Sequence, residues 1–181
     1  PFQTVAIETT LGPAEAWLVP AAGPEAGRAI YVHGIAGTRE NGFRQLSILH
    51  EAGWTVLLVS YRNHEGAPPA PDGRYAFGLA EWPDLEAAVA YMAPQPGPGL
   101  LIAADSMGAA VLGQFLAQSP MADRVRAIVL DSPAISFSAV TGQLAGMSGY
   151  PLAGATGWVA GRLLPGITGL DLDEAEVAAV Y

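Results

Sequence analysis

Short apolar runs alternate with longer amphipathic segments along most of the chain. The apolar runs are continuous and of strand length, which is typical of parallel strands buried on both faces. Four of them follow the first 25 residues: RAIYVHG, WTVLLVSY, GLLIAAD and RVRAIVLD. Between them lie three segments with apolar residues at helical spacing, 39–53, 81–92 and 108–118. This alternation predicts an α/β fold whose mainly parallel sheet carries helices on both faces.

The first 21 residues follow a different pattern. Two extended pieces, TVAIETT and AEAWLVPA, flank Leu11, Gly12 and Pro13. A Gly-Pro pair marks a turn, so we expect an antiparallel hairpin at the start of the sheet.

Two further segments carry local signals. In the first helical segment, Phe43, Leu46 and Leu49 share one face, and Gly53 stands where a helix C-terminus is expected. The chain from Tyr61 to Leu79 is a long loop rich in proline and glycine that leaves the carboxyl end of a strand. Open α/β sheets bind ligands at that edge, so this loop is a candidate for function.

Length and composition predict one globular domain followed by a cover. The chain has 181 residues, of which 51% are hydrophobic, enough for a sizeable core. We expect a core over residues 1–136 and a lid over 137–181. The stretch 141–170 is apolar enough to resemble a membrane span, but its prolines, glycines and Arg162 interrupt the continuous run that a spanning helix needs. It is interpreted as part of the lid.

Charge and composition exclude several function classes. The net charge is −9, and the eight basic residues are scattered arginines, which argues against nucleic-acid binding. No metal-ligand spacing and no phosphate-binding glycine loop occurs, so no metal or cofactor is expected. Cysteine is absent, which leaves the compartment open. The chain opens without a methionine or a signal sequence, so we expect any signal or anchor to lie upstream, in a protein that is cytoplasmic or membrane-anchored.

The stretch LLIAADSMGAA carries the strongest chemical signal. Ser106 follows a predicted strand and precedes a helix of small residues, the context in which a sharp turn exposes a nucleophilic hydroxyl. Ala104 and Gly108, two residues to either side, are small enough for such a turn. The backbone N–H of Met107 lies at a helix N-terminus, and that of Ile35 in HGIAGTRE follows an earlier strand. Together they can hold an oxyanion.

These motifs resemble the α/β-hydrolase family of serine hydrolases, in particular bacterial members of unassigned substrate. The resemblance rests on HGIAGTRE, SYRNHEGAPPAPDGR, EWPDLEAA and LDSPA, which occur in the family's order and span nearly the whole chain. It implies that Ser106 is the nucleophile, that the Ile35 and Met107 backbones form the oxyanion hole, and that the substrate is a small-molecule or peptide acyl compound.

The sequence departs from the family in two places. Ala104 and Ala109 replace glycines of the usual turn, and Asp105 stands where an aromatic residue is common; its carboxylate would oppose an oxyanion if it faced inward. The family's acid and histidine follow two further strands, so we expect both beyond Tyr181.

Several residues have two interpretations each. Asp131 is either an alternative triad acid or the cap of the turn in DSPA. Arg39 and Arg62 either bind a substrate carboxylate or form ion pairs, with partners expected among Glu40, Glu65 and Asp72. A role as general base is disfavoured for all three histidines, which are interpreted as structural or exposed: His33, His50 and His64.

Two functional hypotheses follow. In the first, the natural protein is a serine hydrolase that cleaves an ester, thioester or peptide bond through a Ser106 acyl-enzyme. In the second, the chain is a non-catalytic binding module on a hydrolase scaffold, since no suitable histidine follows the serine. A variant of the second is self-association through an open sheet edge.

Overall fold

The computed structural model describes residues 2–92, 99–136 and 173–181, with isolated positions between 139 and 169. Its centre is one six-stranded sheet with the strand order β1-β2-β4-β3-β5-β6. The strands are β1 (Gln3–Thr9), β2 (Gly12–Val19), β3 (Gly27–Val32), β4 (Trp54–Val59), β5 (Leu100–Asp105) and β6 (Val125–Asp131).

The sheet is antiparallel at one end and parallel elsewhere. Strands β1 and β2 form the hairpin, and β2 also runs antiparallel to β4. Strand β3 lies between β4 and β5 and is parallel to both, and β6 extends the parallel part beside β5. The predicted fold class is confirmed, including the N-terminal hairpin. The carboxyl ends of β3, β4, β5 and β6 therefore meet at one edge.

In the part of the chain that the structure describes, three α-helices cover the two faces of the sheet: α1 (Phe43–Glu51), α2 (Trp82–Met92) and α3 (Met107–Gln118). The larger core lies where Ile30, Leu57 and Ile102 of the sheet meet the apolar sides of α2 and α3. A smaller cluster on the opposite face, around Tyr31 and Leu58, packs against α1.

Helix α1 is more exposed than its pattern predicts. Leu46 and Leu49 pack against the smaller cluster, but no α1 residue is fully buried. Phe43 is 51% exposed and stacks on Trp17 of the hairpin, with 6.2 Å between the ring centroids. Gly53 follows the helix with φ +83°, a conformation that suits glycine, and so ends it as expected.

Strand β6 is an exposed edge rather than a doubly buried strand. Ile128 and Val129 are among the exposed large apolar side chains. Among the described residues, no strand pairs with the outer side of β6. The apolar run alone does not reveal this, because it resembles that of β5, which has neighbours on both sides.

The end of the chain docks on α3. Val177 is buried and fills the space beside Gly113, where an added Cβ would lie 2.6 Å from the Val177 side chain. The Tyr181 hydroxyl donates to the Ala109 carbonyl at 2.5 Å. Most of the predicted lid lies outside the described residues, so the division at 136/137 stays a prediction. Among the described residues, none of the helices has the length and apolar character of a membrane span.

Candidate active site

Ser106 lies at the tip of a strained turn between β5 and α3. Its backbone has φ +48° and ψ −117°, a region that non-glycine residues avoid at a cost of about 1–3 kcal/mol. Two long-range bonds hold this conformation: the Ser106 N–H donates to the Asp131 carbonyl, and the Ala134 N–H donates to the Ser106 carbonyl, both at 3.0 Å. The surrounding sheet therefore maintains the sharp turn.

Close backbone contacts explain which small residues this turn requires. An added Cβ at Gly108 would lie 2.4 Å from the Val32 carbonyl oxygen and 2.7 Å from that of His33. Because both are backbone atoms, only glycine fits there. Ala104, in contrast, sits buried in β5 opposite Val32 with its methyl group accommodated. The departure from the family's first glycine is therefore compatible with the turn.

The loop after β3 lies against Ser106. An added Cβ at Gly34 would lie 2.9 Å from Ser106 Cβ and 3.5 Å from Ser106 Oγ. The loop then turns tightly: Ala36 has φ +51°, and the Gly37 N–H donates to the Gly34 carbonyl at 3.1 Å. Ile35 follows Gly34 in this loop, and Met107 is the first residue of α3, directly after Ser106. A role of the Ile35 and Met107 N–H groups as oxyanion donors stays a prediction.

Asp105 points away from this position. Its Oδ2 accepts a hydrogen bond of 2.5 Å from the Tyr31 hydroxyl, and its Oδ1 faces Gln45 Nε2 of α1 at 3.4 Å. Burial and the bond to Asp105 raise the pKa of Tyr31, which keeps the phenol protonated. The carboxylate is therefore held on the α1 side of the sheet, and the expected conflict with an oxyanion does not arise.

His33 is a buried, neutral side chain beneath the loop. Its Nδ1 lies 2.9 Å from the Gly34 carbonyl oxygen, and since a carbonyl only accepts, Nδ1 carries the proton. Burial lowers the pKa of His33 to about 4. Its Nε2 is buried, and none of the described residues forms a hydrogen bond with it. The ring supports the loop, in agreement with the structural interpretation of this histidine.

The other two histidines are not placed as bases either. His64 is buried, and its Nδ1 donates to the Tyr61 and Arg62 carbonyls at 3.2 and 3.1 Å. Burial lowers the pKa of His64 as well. His50 lies near the end of α1, which leads into the amino end of β4 and so to the edge opposite Ser106. No hydrogen bond links a histidine to Ser106 among the described residues.

Asp131 contacts Ser106 through its backbone rather than its side chain. Its Oδ2 pairs with Arg44 of α1, and its Oδ1 accepts from the Ser132 hydroxyl at 3.1 Å. Each carboxylate oxygen already has one partner, so a histidine would have to share an oxygen with Arg44 or Ser132. A role as triad acid stays a prediction that this pairing does not favour.

Arg39 binds the hairpin. It pairs with Glu15 at 2.8 Å, donates to the Ser60 hydroxyl at 2.6 Å, and its Cζ lies 4.6 Å from the Trp17 ring centroid. Sequence analysis anticipated an ion pair but not Glu15, which lies 24 residues earlier on a neighbouring strand.

Arg62 forms a two-point ion pair with Asp84 at the start of α2. Its Nε and Nη2 donate to the two carboxylate oxygens at 2.9 and 2.7 Å, and its backbone N–H adds a third bond at 2.9 Å. These ion pairs compensate the charges of both Arg39 and Arg62. A substrate-binding role for either arginine therefore stays a prediction.

Tyr61 is a residue that sequence analysis passed over. It ends the run WTVLLVSY and is fully buried. Its hydroxyl donates to the His33 carbonyl at 2.8 Å and lies 3.4 Å from the Gly34 carbonyl. The sequence carries one signal for this role: a tyrosine at the end of a buried strand, whose hydroxyl needs a hydrogen-bond partner when it is buried.

Comparisons with known proteins agree with this geometry. Residues 30–154 match the family model of the alpha/beta hydrolase fold. Among curated proteins, a search found no match. A Pyrococcus furiosus esterase superimposes with a TM-score of 0.66 over 91% of this chain at 21% identity, and this chain spans 60% of its length.

Two other solved structures share the fold. One is a Xanthomonas campestris protein described as an a/b serine hydrolase without a lid, with a TM-score of 0.53, 24% identity and coverage of 64% of this chain and 56% of its own. The other is a Vigna radiata epoxide hydrolase, with a TM-score of 0.58, 17% identity and coverage of 71% and 38%. The turn at Ser106, the loop at Gly34 and the matched family model together show that this chain belongs to the alpha/beta hydrolase fold family.

Proposed function

We propose that the natural protein is a serine hydrolase that cleaves an ester, thioester or peptide bond through an acyl-enzyme on Ser106. The carrying observation is the Ser106 backbone, held at φ +48° and ψ −117° directly against Gly34. A strained conformation at a functional position is maintained only where the surrounding structure enforces it, as the bonds to Asp131 and Ala134 do here. The fold shared with an esterase and with a serine hydrolase supports this chemistry.

The chemical steps follow from the positions of the groups. Ser106 Oγ attacks the acyl carbonyl carbon and gives its proton to a general base, while the carbonyl oxygen becomes an oxyanion. The Ile35 and Met107 N–H groups donate to that oxyanion. The base then protonates the leaving group as the bond to it breaks, and water hydrolyses the acyl-enzyme by the same route in reverse.

We place the general base and the acid in sequence beyond Tyr181. His33 and His64 use their Nδ1–H groups to hold backbone carbonyls and are kept neutral by burial. His50 lies toward the opposite edge of the sheet. The lid over 137–181 belongs to the same proposal, as a cover for the acyl group.

A fluorophosphonate probe on the natural full-length protein tests this function. We expect wild type to gain one covalent label, mapped by peptide mass spectrometry to Ser106, and Ser106→Ala to gain none. Ser132→Ala is the matched control, because Ser132 is an exposed serine that also follows a strand and has positive φ, at +47°. It should label like wild type. A label on Ser132, or no label on wild type, would contradict the proposal.

One observation favours a second candidate, a non-catalytic binding module. Within the described residues, no histidine bonds to the Ser106 hydroxyl. If this 181-residue chain by itself hydrolyses an activated ester and Ser106→Ala abolishes that activity, the binding-module hypothesis is wrong.

A further inference from the structure

The orientation of one peptide group decides whether the loop after β3 can hold an oxyanion. The Gly34 carbonyl and the Ile35 N–H belong to the same planar, trans peptide unit, so they point in opposite directions. Whatever fixes the Gly34 carbonyl oxygen on one side therefore aims the Ile35 N–H on the other. Three donors surround that oxygen: His33 Nδ1–H at 2.9 Å, the Gly37 N–H at 3.1 Å and the Tyr61 hydroxyl at 3.4 Å.

Two of these donors belong to the loop itself, whereas Tyr61 comes from the end of the neighbouring strand. Its shorter bond, 2.8 Å, goes to the His33 carbonyl. That same carbonyl oxygen lies against the Ser106 turn, since an added Cβ at Gly108 would approach it to 2.7 Å. The His33 carbonyl is thus held between the Tyr61 hydroxyl and the nucleophile turn. Tyr61 is the one described side chain from outside the loop that bonds to both carbonyls.

Tyr61 is itself rigidly placed. Its ring stacks on His33, with 4.6 Å between centroids, and contacts His64 at 4.3 Å. His64 donates back to the Tyr61 carbonyl at 3.2 Å. Burial raises the pKa of Tyr61, so its hydroxyl remains a donor throughout the working range of pH.

From this arrangement we propose that Tyr61 is a positioning residue for the oxyanion hole. Its hydroxyl fixes the His33 and Gly34 carbonyls and thereby aims the Ile35 N–H at the substrate oxygen that gains negative charge. This inference rests on the proposed hydrolase function. Because the hydroxyl acts on a transition-state contact, its loss should slow the chemical step more than it weakens substrate binding.

Tyr61→Phe in the natural full-length protein tests the inference, since it removes only the hydroxyl. With p-nitrophenyl butyrate as substrate, we expect kcat to fall about tenfold and KM to stay within about twofold of wild type. This fall in kcat is smaller than the fall caused by loss of an oxyanion donor itself. The Ki of a trifluoromethyl ketone, which forms an oxyanion on the serine, should rise by a similar factor. A merely structural role would not couple these two changes.

Tyr75→Phe is the matched control. Tyr75 belongs to the same ring cluster, with its ring 5.0 Å from His64, but its hydroxyl donates to the Asn63 carbonyl at 3.4 Å and not to the loop. It should keep kcat and Ki within about twofold of wild type, because loss of its hydroxyl removes no contact to either loop carbonyl.

The labelling and kinetic results together distinguish failure of the Tyr61 role from failure of the proposed hydrolase function. If wild type takes the phosphonate label at Ser106 but folded Tyr61→Phe retains wild-type kcat and Ki, the role of Tyr61 is overturned alone. If wild type takes no label, both are overturned. If Tyr61→Phe does not fold, Tyr61→p-aminophenylalanine keeps a weaker N–H donor. We expect at least about a threefold lower kcat at unchanged KM there, and an unchanged kcat overturns the inference.

Discussion

At the scale of single residues, burial rather than charge pairing determines the protonation state of His33, which supports the loop beside Ser106. His33 is enclosed by the Tyr61 and His64 rings, and its Nδ1–H is committed to a carbonyl. No carboxylate is close enough to form an ion pair with it among the described residues. The neutral imidazole is therefore the form that the folded protein accepts, and protonation must compete with folding.

This produces a pH-dependent stability. The folded pKa of His33 is about 4, below its ordinary value of 6.5. Between these values the unfolded chain binds more protons, so stability is full above about pH 6.5 and falls as the pH drops toward 4. The slope from one such group is at most about 1.4 kcal/mol per pH unit. Urea unfolding at pH 7.5, 6.5 and 5.5 measures it.

His33→Asn should reduce this slope, because asparagine keeps an N–H donor near the Nδ1 position but does not titrate. The lowered pKa of His64 leaves a remaining slope of the same sign. An unchanged slope in His33→Asn would show that His33 does not carry the effect.

The local sequence predicts which residue occupies a sharp turn better than it predicts the direction in which a side chain points. Ser106 was recognisable because strand, small residues and helix follow one another in local sequence. The direction of Asp105 was not, because its partner Tyr31 lies 74 positions earlier and only strand pairing brings the two together. The Glu15 partner of Arg39 was hidden for the same reason.

At the scale of elements, the long loop from Tyr61 to Leu79 is anchored rather than free. Arg62 at its start is bound to Asp84 of α2. Near its end, the Glu81 carboxylate accepts from the Ala76 and Gly78 N–H groups at 2.7 and 2.8 Å. Proline and glycine content correctly predicted a loop at the edge that carries Ser106. It did not predict these anchors, which depend on how α2 packs against the sheet.

Asp84→Asn tests the first anchor. The Asp84 and Arg62 side chains are only 2% and 10% exposed, and removing one charge leaves the other buried and uncompensated. We expect a loss of about 3–5 kcal/mol in the free energy of unfolding, measured from urea midpoints. Asp123→Asn is the control, because Asp123 is 78% exposed and lies 4.0 Å from Arg124; it should change stability by less than about 0.5 kcal/mol. A loss below about 1 kcal/mol in Asp84→Asn would contradict the assigned anchor.

At the scale of the whole molecule, the alternation of apolar runs and helices predicts a mainly parallel sheet, but neither the order of its strands nor the exposure of each strand. Strands β5 and β6 have similar apolar sequences. Among the described residues, however, β5 has a neighbouring strand on each side, whereas β6 has one on one side only. An apolar edge strand with unpaired backbone groups is a template for association.

The 181-residue chain should therefore self-associate through β6. Val129 is 49% exposed on this strand, and a lysine there introduces charge repulsion and solvation at the edge. In light scattering after size exclusion, we expect wild type above its monomer mass of 18.7 kDa, and Val129→Lys near it. Ile48→Lys, at a 65% exposed position on α1, should behave like wild type. A wild-type monomer at high concentration would contradict this expectation.

The two long-range bonds that hold Ser106 in its turn can form only late in the synthesis of the chain. Both come from residues made later, Asp131 and Ala134, at the end of the strand after α3. Chains are synthesised from the amino end, so the loop around Gly34 leaves the ribosome well before Asp131 and Ala134 do. These two bonds to Ser106 can form only once β6 has paired with β5. Until β6 has been synthesised and has paired with β5, a growing chain therefore lacks both of the long-range bonds that hold Ser106 in its turn.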